Sequence, residues 1–405
     1  MTFRRALLRG ASLLLVLGGT APAGGDAGAD RAFLDRHWRR PVPPQGEAPA
    51  RWSALEKSLA PQSCGACHQA QLADWKTSVH ARSLGPGVAG QLVEMRRSDP
   101  ESFRLCLSCH GPLAEQQPDI ERHGRSVPNP EFDPGLQAAG LACAVCHVRQ
   151  HERFGPPRRI GMAKVTTPRP SLPHGGVTRT PAFSQSTFCT SCHQFSSDGF
   201  ALNGKLLENT YEEWKLSAAA RVRRQCQDCH MPERRHLWRG IHDPDMVKSG
   251  VEILATTAQR SYRPGDELVA TIVVRSVGVG HDFPTYVTPR VVVRAALIDN
   301  TGAAVGGSGQ EYAIAREVTL DLSREISDTR IPPGGSASFT YRRRLERKGL
   351  SLSVSVMVYP DHFYTGFFES LLASGAGAGA PQIREALAAS RRSAFEIFRK
   401  TVRLT

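Results

Sequence analysis

All ten cysteines of this 405-residue chain stand in five copies of one pattern, Cys-x-x-Cys-His. The copies are Cys64-Cys67-His68, Cys106-Cys109-His110, Cys143-Cys146-His147, Cys189-Cys192-His193 and Cys226-Cys229-His230. This constrains the fold more than any helix or strand signal, because it calls for something other than protein in the interior. Two thiols three positions apart can each form a thioether to one vinyl group of a haem, and the next histidine then lies under the iron as its proximal ligand. Zinc sites and redox dithiols also use Cys-x-x-Cys. A zinc array, however, has no need of histidine at the fifth position every time, and a disulfide scaffold needs none at all. Five copies with no cysteine left over imply five covalently attached haem c groups.

The N-terminus agrees. Arg4, Arg5 and Arg9 precede an apolar run over residues 11–17, and Ala21-Pro22-Ala23 follow. That order predicts a secretory signal peptide over residues 1–23, cleaved after Ala23. The run is too short to span a bilayer, and no later segment holds eighteen consecutive apolar residues, so no transmembrane segment is expected in the mature chain. The expected location is the periplasm, with the cell surface or the extracellular space as further possibilities for an exported chain.

The formal net charge of +13 resembles a nucleic-acid or membrane signal. The signal peptide carries three of the arginines and no acid. Each ferric haem with two ionised propionates adds a net negative charge, so five of them offset about half of the remaining excess. The basic residues are thus read as counter-charge for propionates and as steering for an acidic redox partner, with no nucleic acid expected.

The motifs fall between Cys64 and His230, about 33 residues for each haem, too little chain to wrap each cofactor in its own core. The haems must pack on one another, with helices and loops as a thin shell. From Val251 the pattern changes to period two. Val251–Thr257, 267–275, Arg290–Ile298, 336–345 and Ser351–Tyr359 read as strands, separated by turns at Pro264-Gly265-Asp266, Asn300-Thr301-Gly302 and Pro332-Pro333-Gly334-Gly335. The expected fold is multidomain: a mainly α and loop pentahaem cytochrome module (24–249), an antiparallel β-sandwich (250–372), then a linker and C-terminal amphipathic helix (373–405). Ile383, Leu387, Ala394 and Phe398 mark the apolar stripe of that helix.

Nine histidines lie outside the motifs: His37, His80, His123, His151, His174, His236, His242, His281 and His362. Five irons need a sixth ligand or leave that position open. His80 sits in Trp75-Lys76-Thr77-Ser78-Val79-His80-Ala81-Arg82, and Trp214-Lys215-Leu216-Ser217-Ala218-Ala219-Ala220-Arg221 repeats that segment with Ala219 in place of the histidine. His174 lies in a Pro/Gly loop, His236 and His242 follow the fifth motif, and His281 stands in Gly280-His281-Asp282-Phe283-Pro284-Thr285. His80, His174, His236, His242 and His281 are the candidate distal ligands, with His123 and His151 as possible substitutes.

These segments resemble the multihaem cytochrome superfamily that includes hydroxylamine oxidoreductase and the tetrahaem cytochromes of nitrifiers. The resemblance rests on Trp75-x-x-Ser78-x-His80-Ala81, CLSCHGP (106–112), CAVCHVR (143–149), FCTSCHQF (188–195) and CQDCHMP (226–232), and covers roughly residues 60–290. It implies that His80 is a distal haem ligand. Residues 280–285 resemble the GHxFPTG loop of β-domains fused to such modules, which implies a haem-ligating His281; Tyr286 stands where that loop has glycine. The expected function is electron relay between redox partner proteins, quinol-linked or outer-membrane components among them. The alternative is an oxidoreductase acting on a small nitrogen or sulfur compound at one five-coordinate haem. No motif ends in lysine and no tyrosine matches the enzyme's cross-linking motif, so no catalytic residue is assigned.

Overall fold

The computed structural model describes residues 27–404. The expected signal peptide lies outside the described residues. From Ala27 to Gly250 the chain forms short helices, two- and three-stranded sheets and long loops. Prolines and acidic caps start many of the helices: Asp99 caps Pro100–His110, Asp133 caps Pro134–Ala138 and Asp243 caps Pro244–Gly250. Four of these short helices end on a motif histidine: Pro100–His110, Cys143–His147, Thr190–His193 and Cys226–His230. Apolar side chains here gather in several small clusters, such as Leu84, Leu92, Phe103 and Leu107, or Val42, Leu113, Leu136 and Val145. Protein alone builds no single core in this half, as expected of a chain that wraps cofactors.

The large core lies beyond Gly250. Seven strands, β1 (Val251–Thr257), β2 (Glu267–Ser276), β3 (Arg290–Ile298), β4 (Gln310–Ile314), β5 (Ser336–Arg344), β6 (Ser351–Tyr359) and β7 (Phe395–Arg403), form two antiparallel sheets, β5-β2-β1 and β4-β3-β6-β7. Burial alternates along β2 and β6, the period-two signature of a sheet with one face covered. Ile272 and Val274 of β2, Val291 and Val293 of β3, Tyr341 of β5 and Val354 and Val356 of β6 share one cluster.

The expected C-terminal helix is half correct. Helix continues through Ile383 and Leu387 but stops at Arg392; Phe395–Arg403 is a strand, with Phe398 opposite Val356 of β6. The i, i+4 spacing that suggested one helix also fits alternation at Phe395 and Ile397. The open edge of β6 decides between them, because unpaired backbone groups there need a partner. The sandwich is therefore not confined to residues 250–372. The chain leaves it after Tyr359, makes a helical hairpin and returns.

That hairpin packs on the haem-bearing half. Helices α2 (His362–Ala373) and α3 (Ala380–Arg392) lie against α1 (Pro86–Ser98), burying Phe368 and Ile383. The Gly/Ala stretch expected as a linker is a contact instead. A Cβ on Gly379 would come within 2.0 Å of the Gly90 carbonyl oxygen, and Glu94 accepts the Ala378 amide at 2.9 Å.

A second joint is polar. Glu213 of helix Thr210–Lys215 accepts from Thr285 at 2.5 Å, the Asp282 amide at 3.2 Å and Arg330 at 2.9 Å. Arg316, 1 % exposed, donates to the carbonyls of Leu202, Lys205 and Leu206 and pairs with Glu325 at 2.9 Å. Among the described residues no helix is long and apolar enough to cross a membrane.

Candidate haem-binding sites

Four of the five motif imidazoles are oriented by their Nδ1 atoms. His110 Nδ1 bonds the Ser83 carbonyl at 2.6 Å, His147 that of Phe154 at 2.8 Å, and His230 that of Arg239 at 2.5 Å. A carbonyl only accepts, so each of these rings carries its proton on Nδ1 and leaves the Nε2 lone pair free, as a metal ligand requires. His193 makes the equivalent bond to a side chain, Tyr286 Oη, at 2.6 Å.

Three other rings show the same orientation. His174 Nδ1 bonds Gly176 O at 3.1 Å, His236 Nδ1 bonds Arg234 O at 3.0 Å and His281 Nδ1 bonds Asp282 O at 2.8 Å. His242 differs: its Nε2 is committed to Asp361 Oδ1 at 2.9 Å. A nitrogen paired with a carboxylate is not free for iron, which leaves His242 only its Nδ1 for that role. His37 and His151 likewise spend Nε2 on the carbonyls of Cys146 and Gly46, both at 2.9 Å. His123 sits exposed in the turn between Asp119–Arg122 and Arg125–Pro128.

Ring separations sort the rest. His147 and His236 have centroids 6.1 Å apart, His230 and His281 6.2 Å, and His80 and His193 6.3 Å. Metal–nitrogen bonds of about 2 Å on both faces of an iron put two axial imidazole centres roughly 6 Å apart. His174 lies near His68, whose charge acts on it. Burial lowers the pKa of His80 to about 3 and those of His147 and His281 to about 4, keeping these rings neutral and ligand-ready at neutral pH. Trp38 Nε1, Gln45 Nε2 and Arg149 Nη2 are solvent-excluded donors with no protein partner; propionate carboxylates are suitable acceptors. The residues present fit haem.

Sulfurs of different motifs meet. Cys64 and Cys143, Cys109 and Cys192, and Cys189 and Cys226 lie within side-chain hydrogen-bonding reach. Arg40 joins the second pair, with its guanidinium 3.0 Å from both Cys109 and Cys192 Sγ and a further bond to the Ser191 carbonyl. Nothing in the sequence marked Arg40. Trp238, also unmarked, stands edge-on to both His80 and His236, with centroids 4.7 and 5.2 Å away.

The tryptophan–serine repeat is a repeat in three dimensions. Trp75 Nε1 donates to Leu141 O at 2.8 Å while Leu141 N bonds His80 O at 3.1 Å. Trp214 Nε1 donates to Arg224 O at 3.0 Å while Arg224 N bonds Ala219 O at 2.9 Å. Leu141 and Arg224 each stand two residues before a motif. Where the second copy lacks a histidine, the β-domain loop arrives: a Cβ on Gly280 would sit 3.4 Å from Ala219 Cβ. His281, the next residue, faces His230.

Residues 63–129 match the family described as cytochrome c554 and c-prime. The chain is 26 % identical over 143 residues to cytochrome c-554 of Nitrosomonas europaea, a match that covers 33 % of this chain and 55 % of that protein, about half its length. It is similar in fold to the penta-heme cytochrome c552 of Thermochromatium tepidum, with a TM-score of 0.61, 17 % identity, and coverage of 86 % of this chain and 99 % of that one. With the five motifs, these likenesses make the chain a multihaem c-type cytochrome with covalently bound haem c.

Proposed function

We propose that the chain is an exported, periplasmic pentahaem relay, passing electrons between redox partner proteins through mostly bis-histidine haems. Bound haem supplies one-electron Fe(III)/Fe(II) chemistry; the chain's residues hold, orient and insulate it. The observation that carries this reading is the common ring separation of about 6 Å. His147 pairs with His236, His193 with His80 and His230 with His281; His174 serves His68. Arg40, 3.0 Å from the sulfurs of both Cys109 and Cys192, supports edges of neighbouring sites close enough for transfer.

One observation favours a second reading, oxidoreductase chemistry on a small nitrogen or sulfur compound at the His110 site. Among the described residues no second imidazole stands about 6 Å from His110, as His236, His80 and His281 stand from His147, His193 and His230, and the Nε2 atoms of His37, His151 and His242 are engaged elsewhere. Tyr364 lies near Cys106, its pKa raised to about 12 by burial and by Glu208 and Asp361. The test is electron paramagnetic resonance of the mature holoprotein, with mass spectrometry for five covalent haems. Four or five low-spin haems support the relay. A majority of high-spin haems sinks it. One high-spin haem that turns over nitrite, hydroxylamine or sulfite with a chemical reductant establishes the second reading.

A further inference from the structure

The β-domain reaches two haem sites from one loop. His281 faces His230, and five residues later Tyr286 meets His193. Three motif histidines give their Nδ1 proton to a backbone carbonyl; His193 has a phenol hydroxyl instead. With Nε2 reserved for iron, the proton must be on Nδ1, so the imidazole donates and Tyr286 Oη accepts. The O–H is then free to donate onward. Within its side-chain reach lie Thr210 and Glu208, and Glu208 Oε2 is shut away from solvent with no partner of its own.

The site concerned is a junction. Cys192 meets Cys109 of the second motif, and Cys189 meets Cys226 of the fifth and feels Cys146 of the third. Whatever sets the potential of the fourth haem therefore affects traffic to three others.

Building on the relay reading, we propose that Tyr286 is a positioning residue that tunes the fourth haem from the outer shell, accepting the His193 proton and handing its own hydrogen bond to Glu208. A hydroxyl that donates onward to a carboxyl oxygen is a stronger acceptor than a free one. Pulling on Nδ1–H gives the imidazole more anionic character, which favours Fe(III) and lowers the potential. The tuned step is a one-electron change with the electron supplied by a neighbouring haem; no bond forms or breaks, and the proton stays on Nδ1.

The test is a spectroelectrochemical titration of holoprotein carrying Tyr286→Phe, with the covalent haem count verified by mass spectrometry. One potential of the set is expected to move positive while the others stay, with every low-spin signal retained. Glu208→Gln, which leaves the phenol in place, is expected to move the same potential in the same direction by less, and it carries the test if the first variant fails to mature. Unmoved potentials in the variants that mature overturn the inference. His80→Ala separates this from failure of the relay reading: if no haem turns high-spin there, the His80–His193 pairing is wrong; if one does while Tyr286→Phe is silent, only the tuning is wrong.

Discussion

At the scale of single residues, the histidines differ in which ring nitrogen is engaged. Histidines with Nδ1 tied to a carbonyl and Nε2 free cluster around the motifs, whereas His37, His151 and His242 present the opposite arrangement. His281→Ala is expected to convert one low-spin haem to high-spin and to increase proteolysis near residues 248–250, because the clamp between halves would lose a coordinate bond. Retained low-spin signals with an equally resistant boundary would make His281 a plain loop residue. His242→Ala should leave every haem spectrum as it was and cost about 1 kcal/mol or less, the range of an exposed ion pair. In the sequence the motif residues follow from spacing alone, and the Trp75/Trp214 comparison singled out His80, whose ring centre lies 6.3 Å from that of His193. For His242, proximity to a motif says nothing of which nitrogen is committed. Arg40 and Trp238 were invisible because the sulfurs and rings they join are distant in sequence.

At the scale of elements, five strands between Val251 and Tyr359 were readable because alternation has a period no helix shares, whereas the shorter Gln310–Ile314, Arg316–Val318 and Glu325–Asp328 were not. The C-terminal strand was not, since its pattern fits both periods and the vacant edge of β6 made the choice. Helix α2 was also missed, although Pro360-Asp361 offers a turn and a cap residue after β6 and Phe363, Tyr364, Phe367 and Phe368 carry helical spacing. The docking of the hairpin includes a close approach just before α3. Gly379→Leu would drive a side chain into the Gly90 carbonyl, an overpacking cost on the order of 1–3 kcal/mol. The expected result is a lower thermal midpoint and earlier hydrogen exchange in α2 and α3, with sandwich amides unaffected. Unchanged exchange in that hairpin would show that the approach is not needed.

At the scale of the molecule, the two halves are joined by charge as well as by the loop. Burial pushes Asp328 up, but the hydrogen bonds of Arg330 and Lys205 outweigh it and hold the carboxyl well below the usual range; Lys205, Asn203 and Arg316 do the same for Glu325. A depressed carboxylate stabilises fully above its unfolded value, about pH 4, and loses that contribution as pH falls toward the folded value. Glu213 and Asp282 are pushed the other way, mainly by burial, so acid favours them and softens the fall. The joint should therefore loosen only below about pH 4, read as cleavage near residues 248–250 by an acid-active protease. Lys205→Met should flatten that dependence; an equally steep profile would exclude the network. Arg330→Leu, which strands a nearly buried Glu213, should cost on the order of 3–5 kcal/mol.

The meeting of sulfurs from different motifs has a consequence for how the protein is made. A chain that reached this fold empty would hold three pairs of free thiols side by side, Cys64 with Cys143, Cys109 with Cys192 and Cys189 with Cys226. In an oxidising compartment such neighbours invite disulfides, and each one would spend a sulfur from two haem sites at once. Thioether formation removes that hazard only if it comes first. Loading each site before the chain closes would keep those sulfurs apart from one another.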